Sequence, residues 1–421
     1  MYKFIFAPII IFSISFNCIN AQPGTPNQVS VQAGYVSEIF FDCSTGNQVS
    51  VPKNNWELAF SINAYSAGVH INSNYGVHAY VVSGANTGDF ATLDTTNNIN
   101  WNELYNTDTS WYWGAINRNY NPANMFNYGW GTYNIITHNV VGDSLYLLKL
   151  VANGSPDVYY KLWIQSRNLA GDYTFRYATL NNSFDTTVTI SKSPYANKTL
   201  IYYSLRTGQI VDREPANTDW DITFNRYYAD QGINFYYPVV GALANEGVMV
   251  AEARGVDVNQ VQASNYMSSF NSQINVMGYD WKTFSGNSWS IEDSLTYFIK
   301  DKNGAIFQLT FTGYGGLSNG NIDFNLLFIP TSINAVNDQS GGIVGFINNE
   351  TNLSILVNSP LTTNAELQLI NLNGQVLLSE QLSLSNGLNN TSIKKTNLST
   401  GLYFVTISTG NNFYQTKVFV N

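Results

Sequence analysis

The sequence predicts an all-β protein: a body made of a duplicated antiparallel β-unit, followed by a small C-terminal β-sandwich. Three observations lead there. Short β-branched or alternating runs bounded by Asn, Gly, Asp and Ser recur along the chain, among them Val77 to Val82, Leu145 to Leu150, Lys161 to Gln165, Ala305 to Thr312 and Ile322 to Ile329. Helical periodicity surfaces only between Val258 and Asn271, and there weakly. Two sequence blocks also return in the same order in both halves of the body.

The N-terminus comes first. Met1-Tyr2-Lys3 precedes an apolar run from Phe4 to Phe16 and then Asn17-Cys18-Ile19-Asn20-Ala21-Gln22. A basic start, a short apolar stretch and a small residue before a polar one predict a cleavable secretory signal over 1–21, cut after Ala21. The rival reading, Cys18 as a lipoprotein cysteine, places Phe16 and Asn17 where small residues are wanted. No later apolar run is long enough to cross a bilayer core of roughly 30 Å, so the mature chain is expected to lack a transmembrane segment. After cleavage only Cys43 remains. One thiol makes neither an internal disulfide nor a cysteine zinc cluster, so stability is expected from an apolar core.

Composition supports such a core, at 44% hydrophobic and 14% aromatic. Charged residues make up 11%, well below the usual fraction of about 25%. A net charge of −9 without a basic stripe argues against nucleic acid as a partner.

The body, 22–331, reads as two related units of about 29–191 and 200–331. In the first block Phe41-Asp-Cys-Ser-Thr-Gly46-Asn-Gln-Val49, Pro52 and Asn55-Trp56-Glu57-Leu58-Ala59-Phe60 are echoed downstream. The echo is Tyr203-Ser-Leu-Arg-Thr-Gly208-Gln-Ile-Val211, Pro215 and Asp219-Trp220-Asp221-Ile222-Thr223-Phe224. In the second block Tyr128-Gly129-Trp130, Asp143-Ser144-Leu145 and Asn153-Gly154 match Tyr279-Asp280-Trp281, Asp293-Ser294-Leu295 and Asn303-Gly304. Thr-Gly and Asn-Gly predict tight turns between strands. Strand alternation puts Trp56, Leu58 and Phe60 on one face and Glu57 on the other, and likewise Trp220, Ile222 and Phe224 inward with Asp221 outward. Because Glu57 and Asp221 occupy equivalent places, scaffold roles fit them better than catalytic ones. Asp143 and Asp293 read as turn or capping residues.

No motif for a nucleophile, metal-assisted hydrolysis or phosphate binding is present, and no enzyme is expected. The most unusual stretch runs from Trp101 to Tyr133, where Trp101, Tyr105, Trp111, Tyr112, Trp113 and Trp130 stand among Asn and Gly. Flat rings beside amides stack on sugars or on a porphyrin, so these six are the candidate ligand surface. The competing expectation is a long loop whose rings close over a sheet edge. His70 and His78 flank an Asn-rich turn and, in a tight hairpin, would face each other; the alternative is two exposed hairpin histidines. His138 reads as a strand surface residue. Met125, Met249, Met267 and Met277 are potential soft ligands but suit a core better.

The Trp-acid-apolar-x-Phe strands and Asp-Ser-Leu hairpins together resemble the HmuY-like family of exported β-proteins of Bacteroidota. That resemblance implies haem capture by two side-chain ligands, often histidines. No position here matches a family ligand residue by residue. No cofactor is predicted from the residues themselves, and haem enters only through this resemblance.

The chain then passes through a polar linker, 332–342, into 343–421. There Leu367 to Val376 contains Asn373-Gly374, Asn397 to Ile407 contains Gly401-Leu-Tyr403, and Thr416-Lys417-Val418-Phe-Val420 closes the sequence. This order of motifs, with Gly374, Gly401, Tyr403, Lys417 and Val418 as its markers, resembles the type A C-terminal sorting domain of the type IX secretion system. A Tyr-Pro-Asn-Pro opening is replaced here by Phe346-Ile-Asn-Asn349. The resemblance implies passage through the periplasm, the secretion machinery and its sortase as partners, and a body released or linked to surface lipopolysaccharide. The expected protein is a secreted or cell-surface, non-enzymatic binder, with haem or a glycan as the alternative ligands.

Overall fold

In the computed structural model the described residues are 24–95, 102–151, 156–233, 235–329, 341–348, 352–410 and 412–420. The expected signal segment, Trp101, the expected Asn153-Gly154 turn and most of the expected linker lie outside them.

Strands β1 (Thr25–Ser30), β2 (Ser37–Phe41) and β3 (Gln48–Pro52) open the body. Next come β4 (Leu58–Ser61), β5 (Val69–Ile71), β6 (Val77–Val81), β7 (Glu103–Leu104), β8 (Gly131–Tyr133), β9 (Val140–Gly142), β10 (Tyr146–Leu150), β11 (Val158–Arg167) and β12 (Tyr173–Thr179). The trio β13 (Asp185–Ile190), β14 (Leu200–Ser204) and β15 (Gln209–Val211) leads into the second half. That half holds β16 (Ile222–Asp230), β17 (Tyr236–Ala244), β18 (Met249–Arg254), β19 (Lys282–Ser285), β20 (Ser288–Ile291), β21 (Leu295–Lys300), β22 (Ile306–Tyr314) and β23 (Asn321–Ile329). The weak helical pattern of Val258 to Asn271 forms one 3-10 turn, Ala263–Tyr266.

These strands make two sandwiches, and the cores show how. One core joins Leu58, Phe60, Val69 and Tyr203 on the sheet β15-β14-β4-β5 to Tyr146, Leu162 and Phe175 on the sheet β13-β12-β11-β10-β6-β7. The other joins Phe41, Ile222 and Phe224 on β17-β16-β2-β3 to Tyr297, Leu309 and Phe324 on β1-β23-β22-β21-β18. Buried aromatic side chains of this size give most of the driving force in such cores.

The repeat frame and the folding frame differ by three strands. The trio β1–β3 begins the first sequence copy, yet it completes the second sandwich: β1 lies on β23, and β2 on β16. The equivalent trio β13–β15 spans the junction of the two copies and completes the first sandwich, with β13 on β12 and β14 on β4. Residues 29–191 therefore do not fold as one unit. The first sandwich is one continuous stretch inserted within the second.

The paired acids follow the same exchange, and their expected outward placement is corrected. Glu57 and Asp221 are both buried. Asp221 accepts a hydrogen bond from the Cys43 backbone at 2.9 Å, and Glu57 from the Leu205 backbone at 2.6 Å. Each acid thus caps the Thr-Gly turn contributed by the other copy. In both turns the glycine, Gly46 or Gly208, has a left-handed φ of 74° or 68°.

The tail is a separate sandwich. A three-stranded sheet contains β24 (Gly342–Asn348), β25 (Asn352–Ser359) and β28 (Gly387–Lys394). A four-stranded sheet contains β26 (Thr363–Asn371), β27 (Val376–Leu384), β29 (Gly401–Thr409) and β30 (Phe413–Val420). Gly374 provides the left-handed turn between β26 and β27, at φ 80°. Tyr403 is buried and donates to the Ser399 carbonyl at 2.6 Å. It pairs in register with Val418, while Lys417 lies over the Phe404 ring and Gly401 faces Val420. Among the described residues no helix is long and apolar enough to cross a membrane.

Candidate ligand-binding surface

Strand β5 is the edge of its sheet, and an edge leaves backbone groups to be satisfied. The Asn-rich segment after β7 does this with side-chain amides. Asn106 accepts from Ile71 N at 3.1 Å and returns its amide N–H to Ile71 O at 2.7 Å, as a neighbouring strand would. Asn117 is fully buried; it accepts from Val69 N (2.8 Å) and Gly114 N (3.2 Å) and donates to the Ala67 (3.0 Å) and Tyr128 (2.9 Å) carbonyls. A Cβ at Gly114 would overlap the Val69 carbonyl, so the chain approaches only with glycine there. Asn117→Ala is expected to cost about 2–4 kcal/mol, since four buried partners lose a bond at once. Urea unfolding measures that loss, and a cost below about 1 kcal/mol would show that the pin is dispensable.

The candidate aromatic residues divide into three groups. Trp130 has no exposed surface: it sits in the first core and donates its indole N–H to Ala67 O at 2.8 Å, so it belongs to the scaffold and not to a ligand face. Trp111 and Tyr112 cross to the second sandwich. The Trp111 indole donates to Ala244 O at 2.8 Å and meets Trp220 edge-on at 6.3 Å, while the Tyr112 hydroxyl donates to Glu246 at 3.0 Å. Tyr105 and Trp113 form the third group, both half-buried. Trp101 is outside the described residues.

Around that third group lie Tyr120 and Tyr128 of the same aromatic stretch and two rings that sequence reasoning missed, Tyr228 and Tyr236. Trp113 stacks on Tyr128 at 6.1 Å and leans on Tyr120 at 5.2 Å. Tyr105 stacks on Tyr236 with centroids 4.3 Å apart and planes 16° apart, and leans on Tyr228 at 5.1 Å. Arg118 braces the Tyr105 stack, donating to the Tyr236 hydroxyl at 2.8 Å and lying 3.8 Å from Asp230. Tyr120, Phe235 and Tyr237 are exposed beside them. The missed signal was the pair of doublets Tyr227-Tyr228 and Tyr236-Tyr237, on the two arms of the β16–β17 hairpin.

The histidines do not converge. His70 lies on β5 and His78 on β6, and these strands belong to different sheets, so they form neither a facing pair nor two exposed hairpin histidines. His70 is buried, with Nε2 3.0 Å from the Trp111 carbonyl; burial outweighs that bond and lowers its pKa to about 4. Neutral at ordinary pH, it is a donor to the loop. His78 Nδ1 is 2.5 Å from Glu103, and His138, in a left-handed turn rather than a strand, has Nδ1 2.6 Å from the Tyr133 hydroxyl. Met277 is core, whereas Met125 and Met267 are exposed. Among the described residues no group of three or more His, Cys, Asp or Glu is arranged to hold a metal ion.

Beside the Tyr105–Tyr228 contact a cleft of about 90 Å³ opens between the sandwiches. Trp56, Ser73, Asn74 and Trp111 line it from the first sandwich, and Tyr227 and Tyr228 from the second. Its charged groups already have partners. Glu38 binds Arg213 at 2.7 Å, Asp108 accepts from Asn275 at 3.1 Å, and Lys53 donates to the Arg226 carbonyl. Burial lowers the pKa of Lys53 to about 7.

Residues 348–421 match the family described as the secretion system C-terminal sorting domain. That match supports export by the type IX secretion system and a secreted or cell-surface location. No curated protein matches the chain. Among solved structures, a pullulanase from Bacillus acidopullulyticus is similar at 13% identity and a TM-score of 0.14, covering 94% of this chain and 32% of its own. This chain therefore spans about a third of the length of that enzyme. The BSP domain of a biofilm associated protein is similar at 14% identity and a TM-score of 0.21, covering 96% of this chain and 67% of its own.

Proposed function

We propose that the chain is a non-enzymatic carbohydrate-binding protein which the type IX system places outside the cell, the sorting tail being removed by the sortase and the body released or joined to lipopolysaccharide. One observation carries the binding reading: two stacks of tyrosine and tryptophan rings, Trp113 with Tyr120 and Tyr128, and Tyr105 with Tyr228 and Tyr236 of the second sandwich, the latter braced by Arg118. Rings pinned in this way present flat apolar faces at little further entropic cost on binding, and the C–H faces of sugars fit them. The neighbouring amide and hydroxyl groups supply the polar contacts that sugars also need. Haem has less to recommend it, because His70 and His78 are each held by other partners on separate sheets.

A glycan array probed with the mature chain tests this. Binding to at least one neutral oligosaccharide is expected, falling at least tenfold (about 1.4 kcal/mol) in a Trp113→Ala, Tyr120→Ala variant. Absence of any glycan signal, or an unchanged signal in the variant, refutes the reading. A haemin titration run alongside should give no sharpened Soret band.

A further inference from the structure

We propose that the cleft between the sandwiches is a subsite for a single uncharged sugar ring, the terminal unit of a glycan whose remainder lies on the ring stacks. This inference rests on the carbohydrate reading and gives it a second, chemically distinct contact. Among the described residues nine buried side-chain polar atoms have no hydrogen-bond partner within the protein. Four of them belong to residues that line this one cleft: Trp56 Nε1, Ser73 Oγ, Asn74 Oδ1 and the Tyr227 hydroxyl. Leaving a buried polar atom unpaired is costly, and native proteins keep few. Each of the four is shut off from solvent in the cleft as it stands, so an incoming molecule completes their bonding as the cleft widens to admit it.

The atoms also define the guest. The indole N–H only donates, the amide oxygen only accepts, and the two hydroxyls do either. A hydroxyl group both accepts from the first and donates to the second, and a sugar ring carries several. Charge is not called for, because Glu38, Asp108 and Lys53 are already partnered and His70 is neutral. Size agrees as well. At about 10–15 Å³ per water-sized centre, the cleft takes on the order of six waters, roughly 180 Å³ of liquid, which is the bulk of one hexose. The rings of Trp56 and Trp111 supply an apolar wall.

Titration of the mature chain by saturation-transfer NMR, with methyl glycosides of glucose, galactose, mannose and N-acetylglucosamine, tests the subsite. Saturable binding of at least one is expected, weakened five- to tenfold by Tyr227→Phe and by Ser73→Ala. Neither change removes a hydrogen bond made within the protein, so the melting temperature without sugar should stay level or rise, which separates loss of binding from loss of fold. The Trp113→Ala, Tyr120→Ala variant should retain monosaccharide binding while losing oligosaccharides. No saturable binding of any glycoside, a preference for glucuronate or glucosamine, or unchanged affinity in both cleft variants overturns the subsite. Oligosaccharide binding that ignores Tyr227→Phe defeats the subsite alone, whereas monosaccharide binding without any array signal defeats the surface reading alone.

Discussion

Arg213→Met is expected to destabilise the body by about 3–5 kcal/mol, because it leaves a buried carboxylate without its counter-charge. The Arg213 guanidinium is almost wholly enclosed; it donates to Glu38 at 2.7 Å and to Pro52 O at 3.1 Å, and lies 4.8 Å from the Tyr202 ring. Glu38 belongs to the β2 strand of the exchanged trio and Arg213 follows β15, so the pair joins the two trios. Burial alone would raise the Glu38 pKa, but Arg213 and Lys53, with hydrogen bonds from Arg213 and Thr223, bring it below its ordinary 4.5. A carboxyl with a depressed folded pKa stabilises above its unfolded value, and that contribution is lost as pH falls through the folded one. Wild type should therefore lose stability below about pH 4.5 on this account. In Arg213→Met the sign reverses: Glu38, still buried and left with only Lys53 and the Thr223 hydroxyl to oppose desolvation, holds its proton more tightly, and stability falls as pH rises toward neutrality. Urea unfolding between pH 4 and pH 8 measures both slopes. A Glu38→Met, Arg213→Met double variant should recover much of the loss, and a double variant as unstable as the single one would contradict the ion-pair account.

Glu57→Ala is the second large effect, again about 3–5 kcal/mol. Its carboxylate has no exposed surface and accepts from Leu205 N at 2.6 Å, Ser204 Oγ at 3.1 Å and Arg206 N at 3.3 Å, with the Arg206 guanidinium closing the site. Its counterpart Asp221 holds the Cys43 N–H. Asp221→Ala is accordingly expected to cost less, about 1–3 kcal/mol. Thermal unfolding of the two variants side by side decides the matter. Equal losses would mean that the copies share energetics as well as pattern, and that the additional bonds at Glu57 carry no weight.

That comparison shows how far the sequence could be read. All-β class, duplication and the sorting tail were legible because each depends on local pattern: two-residue alternation, turn chemistry and motif order. The parity of Trp56 and Glu57 was misread for a definite reason. Strand β4 begins only at Leu58, and Trp56 packs with Ala59, Leu200 and Tyr202, on the opposite side from Leu58 and Phe60. Counting by twos fails across the bend that precedes the strand. The exchange of trios was not legible at all, since similar copies carry similar patterns and either trio could complete either sandwich. Nor were the amide pins. Nothing local sets Asn106 and Asn117 apart from the other asparagines of the loop, and only the neighbouring edge of β5 shows that they replace a strand.

The exchange of β1–β3 bears on the order in which the protein can assemble. Cys43 and Asp221 are 178 residues apart in the chain, and β1 must wait still longer for β23. The inner sandwich can form as soon as β15 has emerged, whereas the β2–β3 hairpin must wait for β16 and β1 stays unpaired until nearly the whole body is available. Contacts of such long range slow folding and leave strand edges open meanwhile. A chain of this design is vulnerable while it is being delivered rather than after arrival, and its N-terminal hairpin is the part that needs a chaperone's protection on the way.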